Sequence, residues 1–388
     1  MISTDAALAR IFALLAPVEG EVVPLGEAAG RVLAAPLTAT RDEPPFRAAA
    51  MDGYALKGVE ADPEAMFRII GEAAAGRGFD GRVGAGEAVR IFTGAPVPEG
   101  ADRVIMQEQA SRRGDLVTLA RKLDARPFIR PPGADFRKGQ EMVPPRPLRP
   151  ADLALLAAMN IAEIAVSRRP DVAIVPTGDE LIMPGETPAP GMIVASNPFA
   201  LSAIVNSAGG HARALPIARD DAASLSATLN LARNADLIVT TGGAAVGDYD
   251  LVADVVNSMG GQAETLDIAM RPGKRLIIGQ LNGAVLLGLP GTPSAAMVCA
   301  QVYVVAAIRA LLGMGAGRVP THQAPLGVEL GANGALECYL HARLEGGTLA
   351  PIKGKHGLVA SAQANALLIR PANDPARAPG DSVPYIRL

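Results

Sequence analysis

At 388 residues the chain is too long for one ordinary domain, and two to four are expected. Hydrophobic residues make up 49% and charged ones 19%, which supplies apolar material for several cores and argues against a disordered chain. A formal net charge of −3 and 3% aromatics with no Trp leave neither a basic footprint nor a stacking platform for nucleic acid, and no nucleic-acid partner is expected. Cys299 and Cys338 are too few and too far apart for a zinc site or a disulfide framework, and both read as small core residues.

The first element is a capped amphipathic helix: Ser3 and Thr4 precede Leu8, Ile11, Phe12 and Leu15 at helical spacing. Asp5 and Arg10 interrupt its apolar run, so no signal peptide is expected and the protein reads as cytoplasmic. Residues 44–55 are loop-like. Over 66–145, short apolar stretches at 67–70, 89–92, 103–106 and 116–119 alternate with Gly/Pro turns, the pattern of small β structure. A proline-rich stretch over 131–150 makes a rigid return path, and a helix opens at Pro150 with Leu153, Leu156, Ala157 and Met159. Helices on both sides of the β segment imply a helical domain, residues 1–45 and 146–168, carrying an inserted β module, residues 46–145.

The pattern changes over 169–314. Buried strands at 171–175, 236–240, 276–278 and 284–289 alternate with helices at 196–208, capped by Ser196 or Asn197, at 248–259 and at 293–312. Strands alternating with helices predict an α/β domain with a doubly wound parallel sheet. The most apolar stretch, 297–312, contains Gln301 and Arg309 and is short for a bilayer, so no membrane association is expected. Residues 315–388 return to short strands between turns and predict a C-terminal β domain.

In such sheets ligands bind beyond the carboxyl ends of the strands. Those ends here read Pro176-Thr177-Gly178-Asp179-Glu180, Thr240-Thr241-Gly242-Gly243 and Leu289-Pro290-Gly291-Thr292-Pro293. Glycine lets backbone N–H groups approach a phosphate, hydroxyls add donors, and the helices opening at Asp248 and Pro293 aim their positive ends there. One such loop alone is equally a plain turn; three in one sheet point to a phosphate-bearing ligand. Asp179, Glu180, Asp248 and Asp250 stand beside them, and carboxylates near phosphate suggest Mg²⁺ between the two; N-capping by Asp248 and solvation of Glu180 are the plainer readings. Arg271-Pro272-Gly273-Lys274-Arg275 is either an oxyanion clamp or a solvated basic turn. Further strings of similar kind are Ala50-Met51-Asp52-Gly53-Tyr54-Ala55, Arg90-Ile91-Phe92-Thr93-Gly94-Ala95 and Gly133-Ala134-Asp135-Phe136-Arg137. His356, between Lys355 and Gly357, reads as part of a solvated basic loop.

Together these strings, with Pro44-Pro45-Phe46, Thr177-Gly178-Asp179-Glu180-Leu181 and Ala364-Asn365, resemble the MoeA family of molybdopterin molybdenumtransferases, which includes the gephyrin E domain. The resemblance covers nearly the whole chain. It implies a homodimer of four-domain subunits whose active site lies between the α/β domain of one and the β module of the other. The implied reaction inserts molybdate into the dithiolene of adenylylated molybdopterin, with AMP released and Mg²⁺ present. The pterin nucleotide would be handed over by a molybdopterin adenylyltransferase. By motif match the catalytic set is Asp52, Thr93, Asp135, Glu180 and Asp250, with Glu180 and Asp250 as Mg²⁺ ligands. The binding set is Thr177, Gly178, Asp179, Gly242, Gly243, Asp248, Arg271, Lys274, Pro290, Gly291, Pro293 and Arg343.

Some positions depart from the family pattern. Ala245 replaces a hydroxyl residue, Thr292 an Asn, and Arg271 a Lys, and a family Ser near His356 is lost. A lost hydrogen bond to a charged group costs roughly 1.5–3 kcal/mol. The competing expectation is therefore a divergent, non-catalytic paralogue that binds or carries a molybdopterin-type cofactor.

Overall fold

The computed structural model of the protein describes residues 1–142, 146–242, 251–352 and 357–388. Helix α1 (Thr4–Ala13) is capped by Ser3, whose Oγ accepts the Ala6 N–H at 3.1 Å. An amphipathic pattern says that a helix has a face to bury, not against what. Ala7, Leu8 and Ile11 of α1 lie in one core with Ile268, Met270 and Ile308, so this helix packs on the α/β sheet rather than in a helical domain.

Strands β1 (Gly53–Leu56), β2 (Met66–Ala73), β3 (Glu87–Ile91), β4 (Arg103–Met106), β5 (Ala110–Arg113) and β6 (Leu116–Leu119) form one sheet in the order β4-β1-β3-β2-β6-β5. Period-two alternation buries Ala55, Val89 and Val104 in one core and Tyr54, Leu56, Ala88 and Ile105 in another. Gly53 is required where β1 meets β4, because an added Cβ would lie 1.8 Å from the Ile105 carbonyl oxygen. Around the sheet, the rest of 14–45 and 146–168 holds one α-helix, α2 (Pro150–Ala158). Beside it, strand Gly20–Pro24 pairs antiparallel with Glu163–Ser167. Pro150 takes the first helical position, and Asp152 accepts the Arg149 N–H at 2.7 Å. Among the described residues, 14–45 and 146–168 contain a single α-helix over a small core of Val23, Leu148, Leu156 and Ile164.

The α/β region runs β7 (Asp171–Pro176), α3 (Asn197–Ser207), β8 (His211–Ala214), α4 (Ala222–Leu231), β9 (Leu237–Thr241), α5 (Leu251–Ser258), β10 (Gln262–Asp267), β11 (Arg275–Leu281), β12 (Ala284–Leu289) and α6 (Pro293–Leu311). Its strand order is β8-β7-β9-β12-β11-β10. Val172, Ile174 and Val239 face α1, α3 and α6, while Ala173, Val175 and Ile238 face α4 and α5, so the sheet is wound on both sides. Strands β8, β7, β9 and β12 are parallel, as expected, but β11 runs antiparallel to β12, and β10 to β11. The reason is the two-residue turn Asn282-Gly283, with φ of 52° and 87°, the conformation in which such a pair closes a hairpin. Helix α6 is long and apolar enough to cross a bilayer, but its apolar stretch is mostly buried inside the protein.

The C-terminal sheet contains β13 (His322–Pro325), β14 (Glu337–Glu345), β15 (Thr348–Pro351), β16 (Ala366–Arg370) and β17 (Ser382–Arg387), with helix α7 (Gly357–Gln363) laid on it. It is less separate than the sequence suggests. Met270–Arg271 adds to it as a strand parallel to β14, and Tyr339, Leu367, Ile369 and Ile386 belong to the α/β core. Arg318 makes ion pairs with Asp5 of α1 and Glu337 of β14, fastening the two ends of the chain together.

Candidate functional site

The carboxyl ends of β7, β9 and β12 meet, as the three glycine strings predict. Thr177 N–H donates to the Thr241 carbonyl at 2.9 Å, and Gly242 N–H to that of Leu289 at 3.4 Å. Two of the glycines serve close packing. At Gly242 (φ +98°) a Cβ would fall 2.3 Å from the Thr177 carbonyl oxygen, and at Gly178 (φ +149°) 2.4 Å from a Glu180 carboxylate oxygen. The Gly178 N–H is already spent on the Ala218 carbonyl at 3.1 Å. Gly291 differs. It is exposed beside Gly242, and among the described residues the N–H groups of Gly291 and Thr292 have no acceptor. Pro293 follows at the first turn of α6, so two N–H donors without acceptors among the described residues lie at this loop and helix start.

Asn197 is the residue that sequence reasoning undervalued. It was weighed only as a cap, yet no side-chain cap bond exists at the start of α3. Its Nδ2 donates to the Gly291 carbonyl at 2.8 Å and holds the loop, while its buried Oδ1 has no partner among the described residues. The signal available was an amide side chain followed by Pro198, directly after a loop.

Asp179 and Glu180 are exposed. Asp179 Oδ1 accepts the Asp220 N–H at 3.2 Å, and its carbonyl accepts Arg219 Nη1 at 3.0 Å. Gly243, Asp248 and Asp250, with Ala245 and His356, lie outside the described residues. Among the described residues, no group of three or more His, Cys, Asp or Glu could hold a metal ion.

A second set of groups lies on the N-terminal sheet. Asp52, just before β1, accepts two bonds on one oxygen: Thr93 N–H at 2.8 Å and Thr93 Oγ1–H at 2.7 Å. The Thr93 hydroxyl and then its N–H hold the Asp52 carboxyl below its ordinary pKa, against an opposing effect of burial, with the nearby Arg90 cation adding least. Gly94, at φ +83°, makes the turn that brings the Thr93 N–H round, its own N–H donating to the Ala49 carbonyl at 2.8 Å. Asp135 pairs with Arg130 at 2.6 Å, and its N–H donates to the Glu43 carbonyl at 2.8 Å. Arg130 sits on a short strand paired with Ala48, so Asp135 hangs from the same edge that leads into Asp52. Among the described residues, the hydrogen bonds of Asp52, Thr93 and Asp135 stay within this N-terminal region.

The cations are placed apart. Arg271 and Lys274 are exposed, and Gly273 between them packs so closely that a Cβ would sit 2.3 Å from Cys299 Sγ. Arg271 lines a cavity of about 380 Å³ with Asn333, Cys338, Tyr339 and Arg370 of the C-terminal sheet, not with the glycine loops. Arg275, the third cation of that turn, faces Asp267 at 3.8 Å. Arg343 pairs with Glu345 at 3.6 Å and lines another cavity with Gln363. Asn365, a marker in the sequence, holds β14 to β16: its side chain accepts from the Leu344 N–H at 2.7 Å and donates to the Leu344 carbonyl at 3.0 Å.

Comparison with known proteins agrees along the whole chain. Residues 2–160 match the model of the MoeA N-terminal region (domain I and II), and residues 173–310 that of a probable molybdopterin binding domain. A molybdopterin molybdenumtransferase of a Nostoc species is 34% identical over 95% of this chain and 88% of its own. One of Haemophilus influenzae is 33% identical over 83% and 80%. The crystal structure of a molybdopterin biosynthesis MoeA protein from Pyrococcus horikoshii superposes over all of both chains with a TM-score of 0.85 at 27% identity. The paired glycine loops and the Asp52–Thr93 group thus sit in a chain that belongs to the MoeA family of molybdopterin molybdenumtransferases.

Proposed function

We propose that this protein inserts molybdate into adenylylated molybdopterin with release of AMP, a step of molybdenum cofactor biosynthesis. The observation that carries the reading is the Asp52 carboxylate, kept ionised and aimed by two bonds from Thr93 on a single oxygen. The Gly291 and Thr292 N–H groups at the start of α6 suit the phosphates of the nucleotide, which orients the dithiolene end away from that loop. Asp52, Thr93 and Asp135 then work with Glu180 and Asp250 on the reacting end. Thr177, Gly178, Asp179, Gly242, Gly243, Asp248, Pro290, Gly291 and Pro293 form the nucleotide side, and Arg271, Lys274 and Arg343 receive the oxyanion.

In keeping with the MoeA resemblance, we place the Asp52 group and the glycine loops across the interface of a homodimer. The chain divides for this purpose at 1–45 with 146–168, 46–145, 169–314 and 315–388. Mg²⁺ suits the chemistry of Glu180 and Asp250, since this ion is usually held by one or two carboxylates with phosphate oxygens. Among the described residues the protein offers no cage of its own, so phosphate oxygens of the nucleotide would complete the shell. Receipt of the nucleotide from an adenylyltransferase and a cytoplasmic location accompany this reading. A non-catalytic carrier is disfavoured, because the relatives named above bear the transferase name over most of the chain.

The decisive experiment supplies adenylylated molybdopterin, Mg²⁺ and molybdate, and follows AMP release together with molybdenum retention. Molybdate-dependent AMP release is the expected result. Tight nucleotide binding without it would leave a carrier.

A further inference from the structure

Arg90 is on β3, three residues before Thr93, and its half-buried guanidinium lies beside two rings and two acceptors. The cation lies 5.2 Å from the centroid of the Tyr54 ring and 4.7 Å from that of Phe92. Nη1 donates to the Gly53 carbonyl at 3.1 Å, and Nη2 to Gln107 Oε1 at 2.7 Å. The Gln107 N–H in turn donates to the Asp52 carbonyl at 3.0 Å. Arg90 and Gln107 thus hold the two consecutive carbonyls that follow the Asp52 side chain, each from a different strand end. The side chain itself is held by Thr93, which leaves Asp52 Oδ2 as the oxygen without a donor among the described residues.

We infer that Arg90, acting through Gln107 and the Asp52-Gly53 main chain, is the positioning residue that aims Asp52 Oδ2 at the reacting group. The inference rests on the reading of Asp52 as a working residue of the transferase. Arg90 acts through its neighbours: both Nη groups are held by acceptors, and two rings lie against the cation. Its charge adds to the effect of Thr93 in keeping Asp52 ionised. The planar fork matters more than the charge, because one ammonium cannot reach the Gly53 carbonyl and Gln107 while stacking on two rings.

The test compares Arg90→Met, Arg90→Lys and Gln107→Leu in the full-length protein, reading kcat and KM for adenylylated molybdopterin beside thermal unfolding. Misplacing a reacting group by about 1 Å costs about 100-fold, so Arg90→Met should lose about that much kcat with KM within about twofold. Arg90→Lys should recover no more than about tenfold of the loss. Gln107→Leu should lose about tenfold, and it carries the test if Arg90→Met fails to fold. Combining Arg90→Met with Asp52→Asn should cost nothing beyond Asp52→Asn alone. Full kcat in folded Arg90→Met or Gln107→Leu overturns the inference, as does a loss that only follows the folded fraction. Full kcat in Asp52→Asn instead breaks the reading of Asp52 itself, which keeps the two failures distinct.

Discussion

In the N-terminal sheet the candidate groups are side chains locked by other side chains and by one turn: Asp52 by Thr93, its main chain by Arg90 and Gln107. In the α/β sheet the candidate groups are main-chain N–H donors at Gly291 and Thr292, and the side chain of Asn197 holds their loop. The difference separates two tasks. A locked carboxylate suits a step in which charge or a proton moves, whereas exposed N–H groups at a helix start suit constant binding of phosphate. Substitutions in the first region should therefore lower kcat, and those in the second should raise Kd.

The largest expected effect is that of Asp52→Asn, which keeps the size of the side chain but removes its charge. Loss of a positioned acid–base group costs roughly 10²- to 10⁴-fold, so molybdate-dependent AMP release should fall by that factor while nucleotide binding stays nearly unchanged. Retained turnover would move the chemistry out of this sheet. Gly242→Ala should behave oppositely. Its Cβ would lie 2.3 Å from the Thr177 carbonyl oxygen at φ +98°, so urea unfolding should show a loss of about 1–3 kcal/mol. Nucleotide affinity, measured by titration calorimetry, should drop with kcat of the saturated enzyme preserved.

Thr93→Val removes the hydroxyl donor and leaves the Thr93 N–H. The Asp52 carboxyl is held below its ordinary value, so it is ionised above that depressed pKa and loses its charge as pH falls through it. Without the hydroxyl, the acid limb of the kcat–pH profile should move upward toward the ordinary carboxylate value of about 3.9. An unmoved limb would assign it to another group. Smallest is Gly291→Ala, where the new Cβ meets only Gly242 Cα at 3.3 Å. Stability should stay within about 0.5 kcal/mol, and any weakening of nucleotide binding reports crowding at the N–H donors alone.

Much of the α/β region was legible, because buried strands and amphipathic helices write their period into the chain. The alternation of Val172, Ile174 with Ala173, Val175 marks both faces of β7. The antiparallel β11 was legible too, in Asn282-Gly283, but a run of parallel strands on either side hid the hairpin signal. The docking of α1 was not legible at all. Its partners Ile268 and Ile308 lie far along the chain, and no local pattern names a distant surface. At the site, types and order of residues pointed to Asp52, Thr93 and the glycine loops. Which N–H groups remain free, and what Arg90 encloses, depend on strand pairing and could not be read beforehand.

The fastening of Asp5 to Arg318 spans 313 positions, and Ile2 pairs with Ile268. Helix α1 is synthesised among the first residues described here, yet the surface it covers exists only after more than two-thirds of the chain has followed. Closing so large a loop adds entropy cost slowly with length, but it makes the docking of α1 a contact of high sequence separation, which is intrinsically slow to form. Until residues 268 and 308 are in place, the apolar face of α1 lacks the surface it covers.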